Sequence, residues 1–255
     1  MSQTNLDVVR RLLSATEDIP AALECLDPDV EWIPLRAATE GTYRGHAGYE
    51  RFVEDSLASF ESFDPRFELR ELPDGRVLAW GTIHVRGRGS GWEMDVPSGG
   101  IFVVRGGKIT RWQDFGSTEK AVAAIRVEIV RGSLDAFADG GLEAMARYWD
   151  PHIEWRAIEG APDDVGDIQG IAAMRRYCQE WIDMFDDLTL VPLSVREVED
   201  GRVVAEQRAA GRAKISGAET ELVYAVVYTV REGKIVRGRE YASLELAMEV
   251  VGVQA

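Results

Sequence analysis

An aspartate and a histidine are the residues of this 255-residue sequence best suited to moving a proton. Asp114 stands in the segment QDF, and His84 stands in the segment TIHV. Histidine titrates near neutral pH, so a His–Asp pair could transfer a proton to or from a carbon acid or a water molecule. We therefore predict that Asp114 acts as the acid and base and that His84 is its catalytic partner.

Apolar and aromatic side chains accompany both residues along three predicted strands. Because side chains of a strand point alternately to its two faces, Trp80 shares a face with His84, and Trp112 shares a face with Asp114. If these faces point inwards, they line an apolar pocket around the two polar groups. The predicted ligand-binding residues are Trp32, Tyr43, Trp80, Trp92, Met94 and Trp112.

The opposite face of the strand that carries His84 supports an alternative. An equally good apolar face is formed by Val77, Ala79, Ile83 and Val85. If that face points inwards, His84 and Trp80 lie on the outer face of the sheet, and Asp114 is a structural carboxylate.

A long internal repeat determines the domain organisation. Residues 74–125 align without a gap on residues 200–251, and the segment VRGGKITR of the first stretch meets VREGKIVR in the second. Further upstream, LDPDVEW at 26–32 corresponds to WDPHIEW at 149–155. Self-similarity at a fixed spacing indicates a duplication. We predict two domains, residues 1–125 and residues 126–255.

The two copies differ where chemistry is expected. Asp114 is replaced by Glu240, and His84 is replaced by Ala210. We predict that the first copy has the working pocket and that the second is structural or binds something else. The predicted residues of the second pocket are Trp155, Glu206, Arg208, Tyr224, Tyr228 and Glu240.

Each copy begins with helical patterns and ends with strands. In the first copy, two short helices precede a strand in DVEWIPL, a third helix follows in YERFVEDSLASF, and a run of strands separated by Gly-rich turns comes last. Helices followed by a meander of strands indicate an α+β fold.

Composition excludes several classes of function. The net charge of −15 argues against nucleic-acid binding, which requires a basic surface. No apolar run approaches the length of about 20 residues that spans a membrane. The cysteines and histidines lack the spacing of metal ligands. We predict a cytoplasmic protein that binds no membrane, no metal and no other cofactor.

The order of these motifs resembles the SnoaL-like branch of the nuclear transport factor 2 superfamily. The resemblance rests on DPDVEW, RGHAGYERF and GKITRWQDF and extends over both halves of the chain. It implies two tandem cone-shaped domains, in each of which a curved antiparallel sheet wraps around helices and leaves a pocket. Because members of this family commonly dimerise through the outer sheet face, the two halves are expected to pair with each other. Further homo-oligomerisation is compatible with this arrangement.

The same resemblance implies a set of possible reactions and does not select one of them. The three catalytic positions of the family's ketosteroid isomerases are not matched here. The Asp–Arg–Asp set of its epoxide hydrolases is incomplete in both copies. Asp114 and Glu240 occupy the place of one Asp, and Arg208 of the second copy matches the Arg but has no Asp two residues on. The implied function is binding of a small apolar molecule, with cofactor-free cyclase, isomerase or hydrolase activity in the first pocket. The alternative is a non-catalytic protein for ligand binding or dimerisation.

Overall fold

The chain forms two compact units, Met1–Ile125 and Arg126–Ala255, in a computed structural model. The structure describes residues 4–16, 18–35, 37–72, 74–89, 91–161 and 164–252. Each unit consists of helices and one six-stranded sheet. The predicted α+β class with two tandem domains is therefore confirmed.

The described residues of the first unit form four helices and six strands, and a long helical segment that is interrupted at Gly140 and Gly141 follows them. Its elements are α1 (Asn5–Ser14), α2 (Ile19–Leu23), β1 (Leu26–Ile33), α3 (Ala37–Glu40), β2 (Tyr43–Arg44), α4 (Gly45–Ser59), β3 (Phe60–Glu71), β4 (Val77–Gly87), β5 (Glu93–Arg105) and β6 (Lys108–Phe115), followed by α5 (Thr118–Met145). The strand order is β2-β1-β6-β5-β4-β3.

One strand pair of this sheet differs from the expected antiparallel arrangement. Strand β1 runs parallel to β6, whereas every other pair among the described strands of the sheet is antiparallel. The parallel pair joins the first strand to the last one, and its register places Trp32 directly beside Trp112. Two tryptophans that are 80 positions apart in sequence are thereby brought together on adjacent strands of the sheet.

Helix α1 closes one side of the first unit. Its N-terminus is fixed by a capping box, in which the Thr4 side chain accepts from the Asp7 amide and the Asp7 carboxylate accepts from the Thr4 amide. Its apolar stripe, formed by Val8, Val9 and Leu12, is buried against the sheet. Burial of such a stripe holds the helix in place and leaves one end of the stripe facing a cavity.

The second unit repeats this plan. It contains the part of α5 that begins at Arg126, a 3₁₀ turn (Ala146–Tyr148), β7 (Trp149–Arg156), β8 (Asp167–Gln169), α6 (Ile171–Asp183), β9 (Thr189–Glu197), β10 (Val203–Arg212), β11 (Glu219–Arg231), β12 (Lys234–Tyr241) and α7 (Leu244–Val250). The order β8-β7-β12-β11-β10-β9, with β7 parallel to β12, reproduces the topology of the first sheet.

A helix packs against part of the outer face of each sheet. In the first unit, a Cβ atom added at Gly99 would lie 2.4 Å from the Cβ of Ala121, so β5 and α5 pack as closely as a glycine allows. In the second unit, Ala247 and Met248 of α7 pack against Val204 and Ala225. The opposite, inner face of each sheet is the one that lines a cavity. Within the described part of the chain, every helix is too short or too polar to cross a bilayer.

Candidate functional site

A cavity in the first unit lies between the inner face of the sheet and helices α1 and α4. Including its open mouth, it contains about 690 Å³ of space. Its walls are apolar and come from every major element of the unit, as shown by Leu12, Phe52, Phe67, Ile83 and Phe102. The enclosed part of this space is about 130 Å³. Concave, apolar cavities commonly hold small organic ligands.

Asp114 provides the only carboxyl group among the described residues that line this cavity. The indole nitrogen of Trp32 donates to its Oδ2 at 2.7 Å, and that of Trp112 donates to its Oδ1 at 3.0 Å. Burial raises the pKa of Asp114 to about 7, although the two indole hydrogen bonds oppose this rise. A carboxyl group with a pKa near 7 can both accept and return a proton at neutral pH.

An aromatic cluster holds the two indole donors in place. The ring centroids of Trp32 and Trp112 are 4.3 Å apart, and Phe52 meets Trp32 edge-on at 3.8 Å. Tyr43 stacks on Trp32 at 5.1 Å and does not line the cavity. Of the predicted ligand-binding residues, Trp32 and Trp112 therefore lie in the cavity wall and Tyr43 lies behind it.

His84 is not brought to Asp114. Its Nδ1 lies 2.9 Å from a carboxylate oxygen of Asp95. Ala79 and Ile83 of the same strand line the cavity, so strand alternation places His84 on the outer face. The expected His84–Asp114 pair is therefore replaced by a His84–Asp95 pair. The physical reason is that β4 buries its aliphatic face.

Three other predicted pocket residues also lie outside the cavity. Trp80 shares the outer face with His84, and the Arg70 guanidinium lies 5.5 Å from its ring centroid. Trp92, which precedes β5, and Met94, near the beginning of β5, are 45% and 49% exposed. In β5, Met94 pairs with Val85 rather than with His84, so it does not share the face of the histidine.

Helix α4 contributes two cavity residues that the sequence analysis did not select. Tyr49 and Phe52, spaced three residues apart on one helix face, both line the cavity. Burial raises the pKa of Tyr49 to about 12, so its hydroxyl is neutral at physiological pH. Their helical spacing was the available signal, but it is equally typical of ordinary core residues.

The second unit has a cavity in the corresponding place, with about 710 Å³ of space including its mouth. Glu240 occupies the position of Asp114. Its Oε1 accepts from the Trp155 indole at 2.9 Å, and its Oε2 accepts from the Tyr177 hydroxyl at 3.0 Å. The ring of Trp155 lies over Gly238, where an added Cβ would come within 2.0 Å of the ring. Gly238 is the counterpart of Trp112, so the second indole donor of the first unit has no equivalent here.

Other polar groups also line this second cavity. The Tyr228 hydroxyl donates to Oε1 of Gln207 at 3.4 Å, and Gln207 is almost fully buried. Tyr224 lines the cavity as well. Burial is the main cause that raises the pKa of Tyr224, and the nearby Glu240 is the second cause. Burial likewise raises the pKa of the Cys178 thiol to about 12.

The predicted residues of the second pocket divide into two groups. The structure places Trp155, Tyr224, Tyr228 and Glu240 in the cavity wall. Glu206 and Arg208 differ from expectation, because Gln207 and Ala209 of the same strand line the cavity. Arg208 instead lies on the outer face, 3.6 Å from Glu221 of the adjacent strand.

Metal ligation has no candidate cluster in the described ranges. Nowhere among those residues do three or more histidine, cysteine, aspartate or glutamate side chains gather as a metal site would require. Cys25 and Cys178 are both free thiols, one in each unit.

Solved structures of similar shape each match about half of this chain. The protein Bal32a from a soil-derived mobile gene cassette is 23% identical, with a TM-score of 0.42 and coverage of 47% of this chain and 89% of its own. A protein of the nuclear transport factor 2-like type from Burkholderia pseudomallei is 22% identical, with a TM-score of 0.41 and coverage of 48% and 96%. A candidate polyketide cyclase from Pseudomonas putida is 23% identical, with a TM-score of 0.40 and coverage of 45% and 92%.

Sequence comparison assigns the family. No curated protein sequence matches the chain significantly. The sequence model of the SnoaL-like domain matches twice, over residues 9–112 and over residues 130–238, and each match ends within the last strand of a six-stranded sheet. Together the two matches cover most of the chain, which belongs to the SnoaL-like family as two tandem copies of the domain.

Proposed function

We propose that the first cavity catalyses a cofactor-free proton transfer on a small, neutral, apolar carbonyl compound, with Asp114 as the catalytic acid and base. The observation that supports this most directly is the environment of Asp114. Its two oxygens accept only indole N–H groups in the described structure, and burial brings its pKa to about 7. A cofactor-free cyclase or isomerase needs such a base.

The proposed reaction begins at a C–H bond next to the carbonyl group of the ligand. The Asp114 carboxylate accepts the proton, and the C–H electron pair forms the C=C bond of an enolate while the carbonyl π electrons move to oxygen. If a C=C bond of the ligand is conjugated with the enolate, the protonated Asp114 returns the proton to the far carbon of that bond, and the C=C bond moves into conjugation with the re-formed carbonyl group, which gives an isomer. Alternatively, the enolate carbon attacks a second carbonyl of the same molecule, which closes a ring, and Asp114 protonates the resulting alkoxide.

The remaining cavity groups favour a neutral substrate. Among the described lining residues none is cationic, so a ligand carboxylate would be buried beside Asp114 without a counter-charge. Ser98 and Thr16 contribute hydroxyl groups to the wall. Neutral donors of this kind are suited to an enolate oxygen that develops charge during the reaction.

Epoxide hydrolysis by a pair of carboxylates is less well supported. That chemistry separates an acid from a base by giving two carboxyl groups different environments. Asp114 has no second carboxyl beside it in the described cavity wall. Pairing of the two units through their outer sheet faces and a cytoplasmic location are part of the proposal and rest on the sequence and the family resemblance.

Hydrogen–deuterium exchange tests the proposed proton transfer. The ketone 2-tetralone has acidic C–H bonds in an apolar framework, and its exchange in D₂O can be followed by NMR. We expect the wild type to accelerate exchange, and Asp114→Asn to lose about 100-fold or more of that acceleration. Asp95→Asn, which removes a carboxylate on the outer face, is the matched control and should retain the full rate.

The pH profile separates catalysis from mere binding. The exchange rate should rise with pH and level off above pH 7, because only ionised Asp114 accepts a proton. If Asp114→Asn exchanged the ketone as fast as wild type, Asp114 would not be the base. If a panel of ketones bound to the wild type without any accelerated exchange, the non-catalytic alternative would replace the proposal.

A further inference from the structure

We propose that the second cavity is a separate binding site for a neutral aromatic compound with a hydroxyl or carbonyl oxygen, and that Tyr224 donates the hydrogen bond that recognises this oxygen. The site is independent of the reaction proposed for the first cavity.

Most polar groups of the second cavity already have partners. Glu240 accepts from Trp155 and Tyr177, and Gln207 accepts from Tyr228. Tyr224 is different, because its hydroxyl has no hydrogen-bond partner among the described residues although its ring forms part of the wall. A half-buried hydroxyl without a partner is the group that gains most from a bound ligand. Tyr224 therefore offers a free donor to whatever enters the cavity.

The lining residues of the second cavity indicate the shape and the charge of the ligand. Aromatic rings surround the space from several elements, and they comprise Phe137, Trp155, Tyr177, Trp181, Tyr224 and Tyr228. This number of rings favours a flat aromatic ligand, which can contact them by face or edge. The described lining residues include no cation, and Glu240 is a carboxyl group within the wall. An anionic ligand would therefore be buried without a counter-charge, which disfavours it relative to a neutral ligand.

The first cavity lacks this recognition group. The position equivalent to Tyr224 in the repeat is Ser98, whose short side chain projects less far from the strand. The counterpart of Tyr228 is Phe102, which has no hydroxyl. The two cavities thus have the same architecture but different hydrogen-bonding groups, and they are expected to select different molecules.

Equilibrium dialysis of the full chain against three naphthalene derivatives tests the proposal. The probes are 2-naphthol, which has the hydroxyl; naphthalene, which lacks it; and 2-naphthoate, which is anionic. We expect 2-naphthol to bind more tightly than naphthalene and 2-naphthoate not to bind. Tyr224→Phe should raise the Kd of 2-naphthol about three- to tenfold and leave that of naphthalene unchanged.

Two further variants assign the effect to one cavity. Ser98→Ala is the matched control in the first unit and should not alter the Tyr224-dependent binding. Ala209→Trp places a large ring in the second cavity and should abolish this binding in a protein whose circular dichroism is unchanged. If Ala209→Trp fails to fold, the Kd of Tyr224→Phe for 2-naphthol still tests the proposal. This substitution removes only one oxygen atom and should leave the fold intact.

Three results would overturn the proposal. They are equal Kd values of wild type and Tyr224→Phe for 2-naphthol, binding of 2-naphthoate as tight as that of 2-naphthol, and no binding of 2-naphthol up to its solubility limit. Asp114→Asn should abolish ketone exchange and leave 2-naphthol binding intact. Failure of the proposed catalysis and failure of this binding site are therefore distinguishable.

Discussion

Replacing Asp114 with asparagine should change how the stability of the protein depends on pH. The pKa of Asp114 rises from an ordinary 3.8 to about 7 in the folded protein. The folded state therefore holds a proton between these values that the unfolded state releases. Stability is highest at low pH, falls as pH rises through this interval, and becomes constant above about pH 7. An asparagine side chain cannot ionise, so the Asp114→Asn variant should lack this fall.

The expected size of the effect follows from the pKa values. Each pH unit in the interval corresponds to about 1.4 kcal/mol, so the full difference is about 4 kcal/mol. The unfolding measurements should be made above pH 4.7, because the protein has little net charge at this isoelectric point. Between pH 5.5 and pH 8.5, wild type should lose about 2 kcal/mol of unfolding free energy relative to Asp114→Asn.

Urea denaturation at several pH values, followed by tryptophan fluorescence, measures this difference. The comparison uses the slope with pH rather than absolute stability, because the asparagine amide also loses a hydrogen bond to one indole at every pH. Removing one donor with Trp112→Phe should extend the fall to higher pH, since that donor lowers the pKa of Asp114. Trp80→Phe on the outer face is the matched control and should reproduce the wild-type slope.

Parallel stability curves for wild type and Asp114→Asn would refute this reasoning. They would mean that Asp114 ionises at its ordinary pKa in the folded protein. Solvent would then reach the carboxylate, and Asp114 would lack the raised pKa that the proposed catalytic base requires.

Two substitutions in the second unit test its local packing. Gly238→Ala puts a Cβ atom against the ring of Trp155 and should cost about 1–3 kcal/mol in urea denaturation, whereas Arg237→Ala at the exposed neighbouring position should cost less than about 0.5 kcal/mol; equal effects would contradict the close packing. Asp164→Asn should lower the melting temperature near neutral pH, because Arg156 and the amides of Gly160 and Gly166 all donate to this carboxylate and hold its pKa below the usual range. The difference should shrink as pH falls through the lowered pKa, and Asp167→Asn, which touches Arg156 only at 3.8 Å, is the control. A deficit that is independent of pH would argue against the ionised contact.

The fold could be predicted from the sequence because its signals are local or repeated. The third helix was expected over YERFVEDSLASF and is observed as Gly45–Ser59, and the last strand of the first copy was expected and observed at Lys108–Phe115. The alignment of 74–125 on 200–251 required no structure. Helical periodicity, Gly-containing turns and self-similarity each depend on residues close together in sequence or on direct comparison of two segments.

The site depended on information that the sequence does not contain locally. Strand β4 has apolar residues on one face and aromatic and polar residues on the other, and alternation alone cannot decide which face turns inwards. The structure buries the aliphatic face, with the result that His84 lies outside. Similarly, the contact of Trp32 with Asp114 depends on the parallel pairing of β1 with β6, a non-local register that no motif indicates.

The change from Asp114 to Glu240 can be explained by the source of the second hydrogen-bond donor. In the first unit, that donor is Trp112 on the same strand as Asp114, two residues away. In the second unit, it is Tyr177 on helix α6, and the longer glutamate side chain extends towards it. The residue of the first unit that corresponds to Tyr177 is Phe52, whose ring contacts Trp32. A carboxylate with one more methylene group thus accompanies a donor on the helix.

This explanation predicts that two substitutions in the first unit depend on each other. Phe52→Tyr alone adds a hydroxyl that the short Asp114 does not reach, and Asp114→Glu alone directs a longer carboxylate at a phenylalanine. Combined, they can form the hydrogen bond that Tyr177 and Glu240 form in the second unit. A double-mutant cycle in urea should therefore show a favourable coupling of about 0.5–1.5 kcal/mol. Additive effects of the two substitutions would show that the length of the acidic side chain and the position of the hydrogen-bond donor vary independently between the two copies.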